Sequence, residues 1–320
     1  MNQLSKYKNL FISILILIIL ISISPTATAQ LFDSDQNPPT LKWRQINTPD
    51  FQILYPDEFE TEAQRMANTL QNIISNVSHT LKIKPRKITV ILQNQSTSSN
   101  GFVQLAPRRS EFSTTPPQDF DYQDWLNSLA VHELRHVVQF DKLTGKLKAP
   151  LFEDLALSIF GITLPPWFYE GDAVGIETSL TQSGRGRLPS WDISIRTNTL
   201  SGKKYSYSKD YLGSAKSLTP GYYQLGYFMT TKLRRDYGAN ILDSVMRRIA
   251  RNPIRPYNLS NSIKKYTTLN TWQLHQETIK ELSKIWNEQL KKLETKTYET
   301  LNKRKDKIPA SYFTGCDFSF

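Results

Sequence analysis

The segment His132-Glu133-Leu134-Arg135-His136 restricts what this chain can fold into more than any other stretch. Around it Trp125, Leu126, Leu129, Ala130, Leu134, Val137 and Val138 recur at helical spacing, which predicts one long helix from about residue 123 to 142, ended by Leu143-Thr144-Gly145. An α-helix turns every ~3.6 residues, so histidines four apart leave the same face, one above the other, with Glu133 beside them. Two imidazoles stacked in this way suit a single metal ion. Zinc accepts nitrogen and carboxylate ligands in tetrahedral geometry, and a catalytic site keeps one position for water. The chain has only four histidines, His79, His132, His136 and His275, so a pair in this register is a specific signal. Its single cysteine, Cys316, excludes cysteine-built metal sites and disulfides within one chain. The fold must therefore present His132 and His136 on one helix and bring a third ligand from elsewhere.

Trp167-Phe168-Tyr169-Glu170-Gly171-Asp172-Ala173-Val174-Gly175-Ile176-Glu177 contains the candidate third ligand. Proline is tolerated in a first helical turn, so a helix is expected to open at Pro166 and run through Ile176. Glu170 then lies about one turn in, where a fixed backbone can aim its carboxylate; a carboxylate there is also favourable without any metal. Glycine inside a helix costs about 1 kcal/mol relative to alanine, so Gly171 implies a close approach, expected to be to the histidine helix.

The pair H-E-L-R-H and W-F-Y-E-G-D-A-V-G-I-E resembles the zinc-binding signature of the gluzincin metallopeptidases, the thermolysin-like and aminopeptidase-like clan, whose third ligand is a glutamate. More narrowly it resembles exported bacterial peptidase-MA-like proteins. The similarity covers roughly residues 42 to 286, and only the two motifs in it are specific. It implies zinc held by His132, His136 and Glu170, with Glu133 as the general base that takes a proton from the attacking water and passes it to the leaving amine. It also implies an α+β, zincin-like fold, with an N-terminal mixed α/β lobe at 30–120, a mainly helical zinc-binding lobe at 121–300 and the active-site helix between them. Tyr223-Gln224-Leu225-Gly226 resembles the tyrosine-x-x-glycine element of aminopeptidase-like members, whose tyrosine donates to the tetrahedral intermediate; Tyr222 and Tyr227 are adjacent competitors. Val174 stands where thermolysin-like enzymes carry an aspartate behind a histidine, so either Asp172 or Glu177 is expected to orient a ligand instead. The G-x-M-E-N element of aminopeptidases is missing upstream, which favours endopeptidase over exopeptidase action. The alternative is a catalytically inactive zincin-fold binding or scaffold protein of the bacterial envelope. Related proteins often continue into a β-propeller, and an end at Phe320 is then expected for a truncated or reduced member.

Other segments fill in the organisation. Lys6 and Lys8, the apolar run Leu10 to Ile23, Pro25 and Ala27-Thr28-Ala29 have the layout of a signal peptide, so an exported, periplasmic or secreted protein is expected. A run of that length covers only ~21 Å of a ~30 Å hydrocarbon core, and an uncleaved anchor is the competing reading. Phe51 to Tyr55 reads as a strand ending at Pro56, residues 58–82 as an amphipathic helix, Ile88 to Leu92 as a buried strand, and Gly101 to Pro107 as an edge strand. Gly101, Phe102 and Val103 are candidates for binding an extended peptide substrate by strand addition, and an ordinary edge strand fits them equally. A second apolar helix is expected at 151–160. Residues 181–218 read as a long surface excursion, with Ser183-Gly184-Arg185-Gly186 a flexible loop. Helices are expected at 223–237 and 241–250, and a terminal one carries Trp272, Ile279, Leu282, Trp286, Leu290 and Leu293. His79 is expected at a surface helix end, His275 solvated or half-buried, and 301–320 as a basic tail.

Charge decides against nucleic acid. Lysine plus arginine number 40 against 29 acids, a net charge of +11. An electrostatic groove for nucleic acid would line the active site, yet residues 121–180 hold 4 basic side chains against 9 acidic ones. Residues 251–308 hold 13 against 6, which leaves peripheral contact with an anionic envelope surface as a reading for the C-terminal region. No feature of the sequence fixes an oligomeric state.

Overall fold

The computed structural model describes residues 37–105, 107–118, 123–145, 160 and 164–294. The signal-peptide segment, the helix expected at 151–160 apart from Phe160, and the 301–320 tail lie outside the described residues.

Alternating apolar residues build the sheet. β2 (Phe51–Pro56) buries Phe51, Ile53 and Tyr55, and β3 (Ile88–Gln93) buries Ile88, Val90 and Leu92. These two strands run parallel, with Ile53 opposite Val90, so the connection between them must cross a face of the sheet. That crossing is α1 (Glu60–His79), which buries Ala63, Met66, Ala67, Leu70, Ile74 and Val77 along one stripe. β5 (Arg108–Ser113) joins β3 in parallel, β4 (Gly101–Leu105) pairs antiparallel with β5, and β1 (Trp43–Asn47) pairs antiparallel with β2. The order is β1-β2-β3-β5-β4, so β4 is an edge strand. Pro107 sits in the tight turn to β5 and not in the ladder, which is why a proline is accepted there. The first helix is shorter than residues 58–82, because a 3-10 turn occupies Asp57–Phe59 and Lys82 takes a φ of 51°.

Helices make up the remainder: α2 (Trp125–Thr144), α3 (Pro166–Leu180), α4 (Ile193–Leu200), α5 (Tyr207–Leu212), α6 (Gly221–Tyr237), α7 (Ile241–Arg251), α8 (Asn258–Thr267) and α9 (Thr271–Lys291). Asp124 caps α2 by accepting from the Asn127 N–H, and Gly145, at φ 58°, closes it. One apolar core runs from Phe51 on the sheet through Leu134 and Trp167 to Trp286 on α9. No helix among the described residues is long and apolar enough to cross a membrane.

Residues 181–218 are not a loose excursion, for α4 and α5 lie within them, Ile195 and Asp210 are buried, and Tyr207 accepts a 2.6 Å hydrogen bond from Trp167 Nε1. Asp210 in turn meets His275 Nε2 at 2.9 Å, so His275 is buried and paired. On α9 the inward face is Leu274, His275, Thr278 and Trp286, while Trp272 and Leu290 on the helix and Leu293 just beyond its end are exposed. Thr278 fits that face because its hydroxyl donates to Leu274 O at 2.7 Å, leaving its methyl for packing.

The tightest helix crossing is between α3 and α6. A Cβ on Gly171 would lie 2.0 Å from the backbone carbon of Gly226, and one on Gly226 would lie 2.1 Å from Trp167 O. The close approach expected at Gly171 is therefore to α6, not to the histidine helix. Either glycine replaced by alanine forces two backbones apart in a packed core, so Gly226→Ala is expected to cost about 3 kcal/mol. The loss should appear as a lower urea midpoint at unchanged slope, and an unchanged midpoint would refute the contact.

Candidate metal centre

α2 carries His132, Glu133 and His136 near its middle, all three buried. Pro166 opens α3, and Glu170 follows in its second turn. The crossing at Gly171, the next residue, fixes where that carboxylate points. His132 Nε2, His136 Nε2 and Glu170 Oε2 stand at the corners of a triangle whose three sides are each 3.2 Å. A tetrahedral ion with bonds of about 2.0 Å needs ligand atoms about 3.3 Å apart, so the triangle has the right size for zinc. Donation from the two rings to Glu170 accounts for two sides of the triangle, and the 3.2 Å approach of the two ring nitrogens to each other is what a shared cation adds. His132, His136 and Glu170 also form the one His, Cys, Asp and Glu group with metal-ligand spacing found among the described residues.

The electrostatics ask for a cation. Burial opposes a charge on His136, yet the Glu170 and Glu133 carboxylates outweigh it and raise the imidazole to about 9. Burial likewise opposes the Glu170 carboxylate, and the two imidazoles hold it well below the usual range. Glu133 is pushed up by burial, which the neighbouring histidines offset only in part. Two carboxylates thus favour positive charge at His136, as expected where a metal belongs.

Each ring's outer nitrogen has a partner. Glu177 Oε2 lies 3.2 Å from His132 Nδ1, so of the two carboxylates left open by the sequence, Glu177 faces His132 directly. Gln139, which sequence reasoning missed, places Oε1 2.8 Å from His136 Nδ1. A signal existed, because Gln139 lies three residues after His136 on one helix face. Asp172 acts one step further out, accepting from Gln139 Nε2 at 2.7 Å and from Arg135 Nε at 2.8 Å, with Arg234 also bound. Burial would raise Asp172 and Glu177, but the arginines hold each at about 2.

Arg185 was missed too, and the flexible-loop expectation for residues 183–186 is corrected by it. It sits in a 3-10 turn, Arg185–Arg187, with its backbone N–H and guanidinium bound to Glu177. Its Cζ stands over the rings of Trp191 and Tyr223 at 5.6 and 5.5 Å. Arg185 Nη2 also lies 2.6 Å from His132 Nδ1. With Nε2 turned towards a metal, Nδ1 carries the proton and donates to Glu177, so the carboxylate and not the ring holds the guanidinium there.

A cavity of about 290 Å³ opens beside these groups, lined among others by Gly101, His132, Glu133, Glu177, Arg185 and Tyr223. Of the three candidate tyrosines, Tyr223 faces this cavity. Tyr222 is stacked behind it and exposed, and Tyr227 packs against Gly186. Burial, reinforced by the Glu170 charge, raises the Tyr223 phenol and keeps it protonated. Gly101 reaches the cavity from β4, where a Cβ would meet Leu129 Cδ1 at 2.5 Å and Glu133 Oε1 at 2.9 Å. Phe102 and Val103 do not line the cavity, and Val103 packs against the core.

No protein-family model matches the chain, and no curated protein matches it. Among solved structures it is similar to a two-domain M1 zinc metallopeptidase mutant bound to L-arginine, at 14% identity and a TM-score of 0.37, covering 77% of this chain and 51% of that one. It is similar also to such a mutant bound to L-tryptophan, at 15% identity and a TM-score of 0.37, covering 82% and 54%. The chain spans about half the length of these structures. Likeness at this level specifies neither activity nor substrate, so the reading below rests on the side chains.

The protein is expected to hold one zinc per chain, lost in His132→Ala and in Glu170→Ala. Gln139→Leu should keep the stoichiometry but weaken affinity about 10–100-fold by leaving the His136 ring unoriented. Competition with a chromophoric chelator measures both, and full zinc occupancy in His132→Ala would overturn the ligand set.

Proposed function

We propose that this chain is an exported zinc metallopeptidase that cleaves within peptide chains. The observation that carries the reading is the 3.2 Å triangle of His132, His136 and Glu170, with Glu133 and Tyr223 on the cavity beside it. Zinc bound there would supply Lewis-acid polarisation of a carbonyl and acidification of a water.

The chain's own residues supply the rest. Glu133, buried and raised by that burial, accepts a proton from water at its carboxylate and returns it to the departing amine. Tyr223, kept protonated, donates to the carbonyl oxygen as negative charge develops on it. Glu177, clamped by Arg185, fixes the His132 ring, and Gln139 fixes the His136 ring. An extended substrate adds to the free edge of β4, which Gly101 lets lie close against Glu133. An edge strand accepts the middle of a peptide as readily as its end, which supports endopeptidase action. Export rests on the sequence layout of residues 1–29.

Glu133→Gln separates chemistry from structure. The variant is expected to retain zinc and the thermal midpoint while hydrolysis of peptide libraries falls about 10²–10⁴-fold. Zinc-loaded wild type that cleaves nothing across broad libraries would favour the scaffold reading instead.

A further inference from the structure

We infer that the loop between α7 and α8 is a docking tip for a bilayer surface rich in anionic lipid, a property independent of the zinc site. Residues 252–257 read Asn-Pro-Ile-Arg-Pro-Tyr. Ile254 is 77% exposed and Tyr257 86%, the two highest values among the large hydrophobic side chains described.

This loop is pinned. Asn258 is buried and donates its side-chain amide to Asn252 O at 2.9 Å, with Ile249 O and Pro253 O at 3.4 Å. Asn261 Nδ2 donates to Pro256 O at 3.0 Å, and Pro253 and Pro256 fix two further backbone angles. Tyr257 adopts φ 50° and ψ 39°, a left-handed conformation that bulky L-residues rarely take. The fold thus holds a sparsely populated backbone conformation that keeps two apolar side chains in water. Exposure of this kind gains nothing for folding and marks a surface made to meet something else.

The charge around the tip identifies the partner. From residue 244 to 276 the sequence has six lysines and arginines and no aspartate or glutamate. Asp243, just before this stretch, is buried and already paired with Lys142 and Arg247. Arg251 ends α7 and Arg255 lies in the loop. Tyr257 at the N-cap of α8 and Asn261, Lys264 and Lys265 on the helix are spaced i, i+4, i+7 and i+8 and are all exposed, so one helix face continues the cationic surface away from the tip. Isoleucine suits the acyl boundary, tyrosine the headgroup level, and the surrounding cations the phosphates. A stable protein interface buries roughly 800 Å² per partner with an apolar centre, more than two side chains on a tip provide, so the bilayer is the better fit.

The full chain has an apolar run at 10–23 that can itself meet lipid, so the measurement is made at the tip. In a Cys316→Ser background, Ile254→Cys is labelled with an environment-sensitive fluorophore, and Leu212→Cys, an exposed position on α5, serves as control. With mixed phosphatidylcholine–phosphatidylglycerol vesicles the tip label is expected to shift to the blue and to be quenched by brominated acyl chains, while the control stays in water. Apparent affinity should fall about tenfold or more with phosphatidylcholine alone, or when Arg251, Arg255, Lys264 and Lys265 are each replaced by serine. A tip label that stays in water with both vesicles, that responds no more than the control, or that binds neutral vesicles as tightly would overturn the proposal. A response to an acidic protein but not to vesicles would overturn it in favour of a protein partner.

Discussion

Three helices meet on one buried carboxylate and a fourth joins them through Arg135, and the candidate site depends on that meeting. Asp172 of α3 accepts from Arg135 and Gln139 of α2 and from Arg234 of α6, while Arg135 also donates to Val77 O at 2.6 Å and to Thr80 Oγ1 at 3.0 Å at the end of α1. Arg135 is fully buried and lies inside the H-E-L-R-H segment, so the residue between the candidate ligands is also the bolt between α1 and the rest. A buried guanidinium without its carboxylate would cost about 3–5 kcal/mol, which makes the arrangement of α1, α2, α3 and α6 nearly all-or-none. Glu170 and Asp172 are two residues apart, so fixing the second largely fixes the first.

The two histidines are supported by unlike chemistry. Behind His132 stands a charged pair, Glu177 with Arg185; behind His136 stands a neutral amide, itself anchored to Asp172. A carboxylate behind an imidazole raises its basicity more than an amide does, so the two candidate ligands differ in electron donation although their geometry is alike. Arg185 limits that difference, because its positive charge offsets part of the Glu177 carboxylate. The same guanidinium lies over the Tyr223 ring, so ring orientation at His132 and the placement of Tyr223 share one residue.

Sequence periodicity and Pro166 made the two helices that carry the site legible, but not the crossing at Gly171 and Gly226 or the contacts of Asp172 that set them against each other. Periodicity failed where burial is sparse or where partners come from afar. β1 exposes nearly every residue, β5 buries only Ser110 and Phe112 between charged neighbours, and α8 buries mostly polar side chains, so none offers an apolar alternation or stripe to read. Arg185 sits among glycine, serine and arginine, a composition that reads as loop; its place is set by Glu177, whose own position depends on α3. Asp172 and Glu177 could not be ranked from sequence because both face inward on α3, and only the position of Gln139 and Arg185 separates their tasks. The basic excess was legible as an amount, but its exposed apolar tip at Ile254 and Tyr257 was not, since nothing local distinguishes an outward isoleucine from a core one.

Three glycines, Gly101, Gly171 and Gly226, set the clearances of the site. Gly171 and Gly226 let α3 and α6 touch backbone to backbone, which sets Glu170, the neighbour of one, beside the two histidines and Tyr223, one turn before the other, on the lining of the cavity. Gly101 lets the edge strand lie against α2 at the level of Glu133. A side chain at any of the three would move a helix or strand by an ångström or more, and interiors packed at crystal-like density transmit such shifts without absorbing them. The distances that matter at the centre are those between three ligand atoms 3.2 Å apart. Positions outside the candidate ligand set therefore govern the geometry of the triangle as strictly as His132, His136 and Glu170 do.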